Sequence, residues 1–220
     1  MALIVEVAPT ILATSPGEYQ NYITRYAPFA KRVQIDISDG QFTPTATVSE
    51  AGITWPENWT VDLHMMVARP SEHLQNILAL KVKPNLVIFH AETGEDLLPL
   101  FAQLKTAGIK SGVALVKTTY PGAVKPFIEA ADHALIFAGD LGRQGGAADM
   151  LQTEKIPIIT KLKTGIEIGW DGGANMNNVR ALAHAGVNVI NVGAAIATAE
   201  NPAAMLDELT KETDKRGVVL

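Results

Sequence analysis

The sequence predicts a single closed (β/α)8 barrel, the TIM-barrel fold, with residues 1–220 forming one domain. Three observations lead to this fold class. Short apolar runs rich in β-branched residues alternate with longer amphipathic runs, which is typical of parallel strands joined by helices. Eight such repeats fit into 220 residues, the size of a small barrel. No G-x-G-x-x-G segment follows the first strand, which disfavours the alternative of a doubly wound sheet.

The elements follow from the apolar periodicity and from the residues that begin and end helices. Strands are predicted near residues 4–10, 32–37, 59–64, 85–90, 110–115, 133–138, 166–171 and 187–192. Helices are predicted near residues 16–29, 71–80, 94–107, 121–130, 154–163, 176–185 and 202–213. Proline after a capping residue, as in Ser15-Pro16 and Asn201-Pro202, marks helix starts, and Gly108 and Gly186 mark helix ends. Only a short turn or helix is expected between the second and third strands.

Composition excludes several classes of function. The net charge of −5 and the lack of any Lys/Arg cluster argue against a nucleic-acid partner. No apolar run approaches the ~20 residues of a membrane span, and the N-terminal Met1–Glu6 lacks the basic region of a signal peptide, so no membrane partner is expected. The absence of cysteine excludes disulfides and thiolate metal sites and fits a cytoplasmic protein.

Polar side chains interrupt three of the predicted strands near their C-terminal ends, which is where a barrel carries its chemistry. Asp36 lies in Val33–Gly40, His64 lies in Val61–Met66, and Asp171 ends the seventh strand. Burying such groups costs several kcal/mol unless a charge or a metal compensates them. Because an eight-stranded barrel is narrow, these three side chains are expected to meet in one pocket. Thr10 and His90 also fall at predicted strand ends.

Two carboxylates and one imidazole suit zinc, manganese or iron(II). Gln34 points to the same face as Asp36, so its amide oxygen is predicted to be a weak fourth ligand. The two aspartates also suit proton transfer: one removes a proton next to a carbonyl and the other returns it on the opposite face. Asp39, which precedes a glycine, is predicted to serve the turn, and Asp62 to be structural or a partner of the site.

Small-residue clusters follow the sixth, seventh and eighth strands. Glycine lets backbone N–H groups approach an anion, and barrels commonly bind phosphate in the last rim loops. A phosphorylated small molecule is therefore the predicted partner. The predicted phosphate contacts are Gly145, Gly146, Gly172, Gly173, Gly193 and Ala194.

Over nearly its whole length the chain resembles the ribulose-phosphate 3-epimerase family. The matching segments are Ala8–Leu12, Asp36–Pro44, Asp62–Met66, Asp171–Gly173 and Val192–Ile196. The resemblance implies interconversion of D-ribulose 5-phosphate and D-xylulose 5-phosphate by two acids on one divalent metal. It assigns Asp36 and Asp171 as the acid/base pair and as metal ligands, with His64 as a further ligand that also contacts substrate. Thr10 stands where the family has a substrate-contacting serine. Relatives are often dimers or larger rings, which leaves a homo-oligomer open.

The chain departs from this family at several positions. Gln34 replaces a histidine of a His-x-Asp pair, which predicts a metal that binds weakly, is of another kind or is absent. Ala194 replaces a serine, Phe137 replaces a methionine, and the loop Gly139–Gly146 lacks the usual run. The alternatives are therefore an epimerase of a ketohexose 6-phosphate, or a non-catalytic sugar-phosphate binder with a degraded metal site. A decarboxylase is disfavoured because no lysine stands two residues after Asp36.

Overall fold

Eight parallel strands close on themselves in chain order, so that β1 pairs with β2 on one side and β8 on the other. The computed structural model describes residues 5–143 and 145–215. The strands are β1 Glu6–Ile11, β2 Arg32–Ser38, β3 Thr60–Met66, β4 Leu86–His90, β5 Lys110–Leu115, β6 His133–Phe137, β7 Glu167–Asp171 and β8 Val189–Val192. The predicted barrel is confirmed. Every strand end lies within two residues of its predicted position, and residue 4 falls outside the described residues.

Helices lie between the strands and cover the outside of the barrel. In the described chain they are α1 Pro16–Tyr26, α2 Pro70–Ala79, α3 Leu98–Thr106, α4 Lys125–Ala130, α5 Lys155–Leu162, α6 Val179–Ala185, α7 Ala194–Ala197 and α8 Pro202–Thr213. Ser15 and Asn201 cap α1 and α8 by accepting hydrogen bonds from backbone N–H groups, as the sequence predicts. The predicted short segment between β2 and β3 is a 3-10 turn at Glu50–Gly52.

Four predicted helices differ from the observed ones by three residues or more at one end, and one helix was not predicted. The first helix ends at Tyr26 rather than 29, because Pro28 has no backbone N–H with which to continue the helical hydrogen bonds. The third begins at Leu98 rather than 94, since Gly94 is left-handed with φ of 78°. The fourth starts as a 3-10 segment, and the sixth starts at Val179. Helix α7 has only four residues, too few for an apolar period to reveal it.

The core has two layers because alternate residues of each strand face opposite sides. In β2, Val33, Ile35 and Ile37 belong to the large cluster between the strands and the helices. A smaller apolar cluster fills part of the barrel interior, formed by Leu86, Ile88, Ala114 and Leu135. Buried polar side chains occupy interior positions toward both ends of the barrel.

The N-terminal end of the barrel is closed by a buried ion cluster. The Arg32 guanidinium donates to Asp62 at 2.6 Å, to Glu167 at 2.9 and 3.0 Å, and to Glu6 at 3.1 Å. The Asp62 carboxylate also accepts from Asn85. The structural role predicted for Asp62 is confirmed, since these contacts lie at the opposite end from Asp171. None of the described helices is long and apolar enough to cross a bilayer.

Candidate active site at the C-terminal ends of the strands

Strand register brings the predicted polar side chains together. Asp36 is the ladder partner of His64 on the neighbouring β3, and Gln34 lies two residues earlier on the same interior face. Asp171 is the last residue of β7, on the other side of the barrel. All four side chains lie inside the barrel mouth. Gln34 and His64 are fully buried, whereas Asp36 and Asp171 retain 6% and 9% exposure and reach the cavity above them.

Four polar atoms of these residues converge. The Gln34 Nε2 donates to Asp171 Oδ2 at 2.6 Å and to Asp36 Oδ1 at 2.9 Å. The His64 Nδ1 lies 3.1 Å from Asp36 Oδ1, 3.3 Å from Asp171 Oδ2 and 3.5 Å from Gln34 Nε2. The amide and the imidazole therefore both lie between the two carboxylates and hold them in one group.

Burial and mutual contact shift the pKa values of this group. Burial raises the pKa of Asp36, and a hydrogen bond with His64 opposes this increase. The charge of Asp171 raises the pKa as well, so the net shift is upward. Burial alone would lower the pKa of His64, but hydrogen bonds with Asp171 and Asp36 outweigh it and raise the pKa to about 9. His64 is therefore an imidazolium at neutral pH when only these protein groups surround it.

A second histidine fixes the ring of His64 from behind. The Nε2 atoms of His64 and His90 lie 2.8 Å apart, and His90 Nδ1 lies 3.2 Å from Glu92 Oε2. Burial lowers the pKa of His90 to about 4, an effect that Glu92 offsets only in part. A neutral His90 thus accepts from His64 and donates to Glu92, which leaves the Nδ1 of His64 facing the two carboxylates. Sequence reasoning left His90 undecided; the contact makes it a partner of the site.

The same group of atoms fits a divalent cation. One ligand atom each from Asp36, His64 and Asp171 lies within 4.8 Å of the others. Two carboxylates and an imidazole are ordinary ligands of zinc, manganese and iron(II), and three protein ligands leave a position open, as catalytic sites require. The Gln34 side chain presents its nitrogen to this group, while its Oε1 is buried without a hydrogen-bond partner among the described residues. The predicted oxygen ligand is thus the half of the amide that faces away.

A cavity of about 280 Å³ opens above the two aspartates. All the predicted phosphate contacts line it, together with Thr10; they are Gly145, Gly146, Gly172, Gly173, Gly193 and Ala194. Within the described ranges, the backbone N–H groups of Gly145, Gly146 and Gly173 donate to no acceptor, and that of Ala194 begins a helix. Gln144 of the same rim loop lies outside the described residues. Donors without acceptors around a small cavity favour an anion there.

Close backbone packing and backbone conformation also require glycine at positions 172 and 173, apart from any contact with phosphate. Both residues have positive φ, 107° and 69°, and a Cβ on Gly172 would overlap the backbone of Gly139. The loop after β7 therefore rests directly on the loop after β6. The pair both shapes the cavity and keeps the two rim loops in contact.

Several residues that line the cavity were not among the predicted site residues. Asn191 lines the cavity at 3% exposure, and its Oδ1 has no partner in the described chain. Its signal was a polar residue inside the apolar strand Val189–Val192, the same signal that identified Asp36. Phe137 and Arg143 also line the cavity, and Phe137 packs 5.8 Å from the His64 ring. Asp39 accepts from the backbone of Gln41 and Phe42, which confirms its predicted turn role.

Comparisons with known proteins agree with this geometry. The family model described as "Ribulose-phosphate 3 epimerase family" matches residues 6–197. The ribulose-phosphate 3-epimerase of Schizosaccharomyces pombe is 24% identical over 217 residues, covering 96% of this chain and 94% of that protein. The enzyme of the same name from Helicobacter pylori is 25% identical over 199 residues, covering 87% and 90%.

Solved structures share the fold. 3-Hexulose-6-phosphate synthase from Salmonella typhimurium superposes with a TM-score of 0.69 at 16% identity, covering 95% of this chain and 98% of that chain. Mycobacterium tuberculosis tryptophan synthase gives a TM-score of 0.71 at 12% identity, covering 98% and 95%. At these identities the likeness concerns the barrel and carries no activity across.

Proposed function

The chain belongs to the ribulose-phosphate 3 epimerase family, and from this premise we propose that it inverts C3 of a ketose phosphate. The proposed reaction converts D-ribulose 5-phosphate to D-xylulose 5-phosphate, with residues 1–220 acting as one catalytic domain. The observation that carries the proposal is the pairing of Asp36 and Asp171. Two buried carboxylates from opposite sides of the barrel lie beside one imidazole and under one cavity.

Asp36 and Asp171 perform the proton transfer. The hydrogen on C3 is acidic because C2 is a carbonyl, so one carboxylate takes the proton and the electron pair passes into an enediolate. The other carboxylic acid then delivers a proton to the opposite face of C3, which inverts the carbon with no net redox change. The raised pKa of Asp36 suits this role, because a carboxyl group that titrates closer to neutrality both gives and takes a proton more readily.

The remaining polar groups hold the two acids and offset their charge. His64 contacts both carboxylates, and His90 contacts the other nitrogen of the His64 ring, so the two acids are held beside one imidazole. Asp36, His64 and Asp171, with Gln34 as a fourth contributor, are the residues that would hold a zinc, manganese or iron(II) ion. Such an ion, when bound, supplies positive charge that stabilises the enediolate.

The phosphate of the substrate is assigned to the rim loops. The backbone N–H groups of Gly145, Gly146, Gly173 and Ala194, which have no acceptor among the described residues, support this assignment. Thr10 lines the cavity, its buried hydroxyl has no partner in the described part of the chain, and it is proposed to contact the sugar. The small-molecule partner is thus a sugar phosphate. A cytoplasmic location and a homo-oligomer stay predictions from the sequence.

Isotope exchange tests the reaction directly. D-Ribulose 5-phosphate is incubated with the protein and Mn²⁺ in D₂O, and deuterium at C3 and formation of xylulose 5-phosphate are followed by NMR. We expect both for the natural chain, and a 10²–10⁴-fold slower conversion for Asp36→Asn and for Asp171→Asn. Asp207→Asn, an exposed aspartate of α8, serves as the matched control and should not change the rate.

The same assay distinguishes the alternatives. Exchange with a ketohexose 6-phosphate but not with the pentose phosphate would reassign the substrate and keep the mechanism. No exchange with either substrate, by a protein that binds both, would reject catalysis in favour of a sugar-phosphate binder.

A further inference from the structure

The Gln34 side chain is the unusual member of the carboxylate group. It is fully buried, and its Nε2 donates both of its hydrogens to charged partners, 2.6 Å away on Asp171 and 2.9 Å away on Asp36. Charge-assisted hydrogen bonds of this kind are roughly twice as strong as neutral ones. Without this bridge the two carboxylates would share only the imidazole of His64. The amide nitrogen therefore acts as the second partner of both acids.

The other end of the amide is unsatisfied in this orientation. The Gln34 Oε1 is buried and has no hydrogen-bond partner among the described residues. Thr10 stands opposite Gln34 in the ladder between β1 and β2, and its buried Oγ1 also lacks a partner in the described chain. A buried acceptor without a donor is costly, so the observed orientation is held by the carboxylates rather than by its surroundings.

Exchanging the two ends of the amide would convert a donor into a ligand. The contacting pairs of atoms among Gln34, Asp36, His64 and Asp171 are 2.6–3.5 Å apart. The ligands of a tetrahedral ion with bonds of ~2.0 Å lie about 3.3 Å apart, so only small movements are required. The terminal torsion of glutamine is broad and two-fold, which makes the exchange of its oxygen and nitrogen inexpensive.

We propose that Gln34 is a two-position amide: its nitrogen bridges Asp36 and Asp171 in the metal-free protein, and its oxygen turns to a divalent cation that binds between them. The turned amide then presents its N–H₂ group toward the interior region that contains the Thr10 hydroxyl. The catalytic carboxylates stay together in both states. The bridge also competes with the cation, so metal binding is weaker and more readily reversed than with a histidine at this position. The proposal concerns the metal site of the proposed function, but it does not depend on the reaction.

Side-chain NMR of the natural chain tests the two positions. The Gln34 N–H₂ signals of EDTA-treated, ¹⁵N-labelled protein are assigned by their loss in Gln34→Leu. Titration with Zn²⁺ should shift these signals more than those of Gln75, an exposed glutamine of α2. The proton shifts should move upfield as the hydrogens leave the carboxylates. Saturation with Zn²⁺ without movement of the Gln34 signals would overturn the proposal.

Stability and affinity provide a second test that needs no catalysis. Loss of the bridge in Gln34→Leu should lower the melting temperature of the metal-free protein by about 5 °C, whereas Gln75→Leu should not. Gln34→His should bind Zn²⁺ about 10- to 100-fold more tightly than the natural chain. An unchanged metal-free melting temperature for Gln34→Leu would overturn the bridge. Zinc binding by Gln34→His but not by the natural chain would overturn the second position.

Failure of this proposal and failure of the proposed function are separable. Zinc-dependent movement of the Gln34 signals in a protein that exchanges no deuterium at C3 would support the two-position amide and reject the epimerase activity. Epimerase activity with a stationary Gln34 amide would do the reverse.

Discussion

Raising the pH from 7.0 to 8.5 should strengthen metal binding about 25-fold, because His64 must lose a proton before it can serve as a ligand. The contacts with Asp171 and Asp36 raise the pKa of His64 to about 9 against the opposing effect of burial. At pH 7.0 most of the metal-free protein therefore carries an imidazolium between the carboxylates. A cation displaces this proton, and the penalty falls tenfold for each pH unit until the pH approaches the pKa of His64.

The direction of the effect follows from the folded protein alone. The Asp36 pKa is also raised, so a proton on that carboxyl also competes with the cation and weakens metal binding as the pH falls.

Calorimetric titration with Mn²⁺ between pH 6.5 and 8.5, in two buffers of different ionisation enthalpy, reports both Kd and the number of protons released. We expect release of about one proton at pH 7. His64→Asn is the matched control and should show a weak Kd with little pH dependence. A Kd that changes less than threefold between pH 7.0 and 8.5, with no proton released, would refute the reasoning.

Three further predictions concern the ends of the barrel. Arg32→Met should reduce the free energy of unfolding in urea by about 3–5 kcal/mol, because Asp62 is left charged and buried; a loss below ~1 kcal/mol would contradict this. Burial alone would raise the pKa of Glu167, but hydrogen bonds from a histidine and from Arg32 outweigh burial and lower the pKa in the folded protein. The stabilising contribution of Glu167 is therefore fully present above the unfolded pKa near 4.5 and is lost as the pH falls through the folded pKa. Glu167→Gln should therefore flatten the acid limb of a stability–pH curve measured by chemical denaturation, and an unchanged limb would argue against it. Gly172→Ala should lower both turnover and melting temperature, since its Cβ overlaps the backbone of Gly139; normal values for both would show that the rim loops move apart freely.

Particular residues show how far the sequence determined the candidate site. Asp36, His64 and Asp171 could be identified because each is a polar residue in a strand that is otherwise apolar, near the end where a barrel carries its chemistry. The register then had to place them together, and the narrow eight-stranded barrel does so. Asn191 carried the same signal and was overlooked. The pairing of His90 with His64 had no local signal, because it depends on the directions of two side chains on neighbouring strands.

The class of fold can be predicted from the sequence, because the alternation of buried strands and amphipathic helices is a local pattern along the chain. The sequence also determined where each strand ends to within two residues, and which strand ends carry acids and glycines. Three features required the folded structure: which end of the Gln34 amide meets the carboxylates, the need for glycine at 172 beside Gly139, and the closure of the opposite end of the barrel around Arg32. These features depend on distances between residues from different strands and loops, and such distances exist only once the barrel has closed.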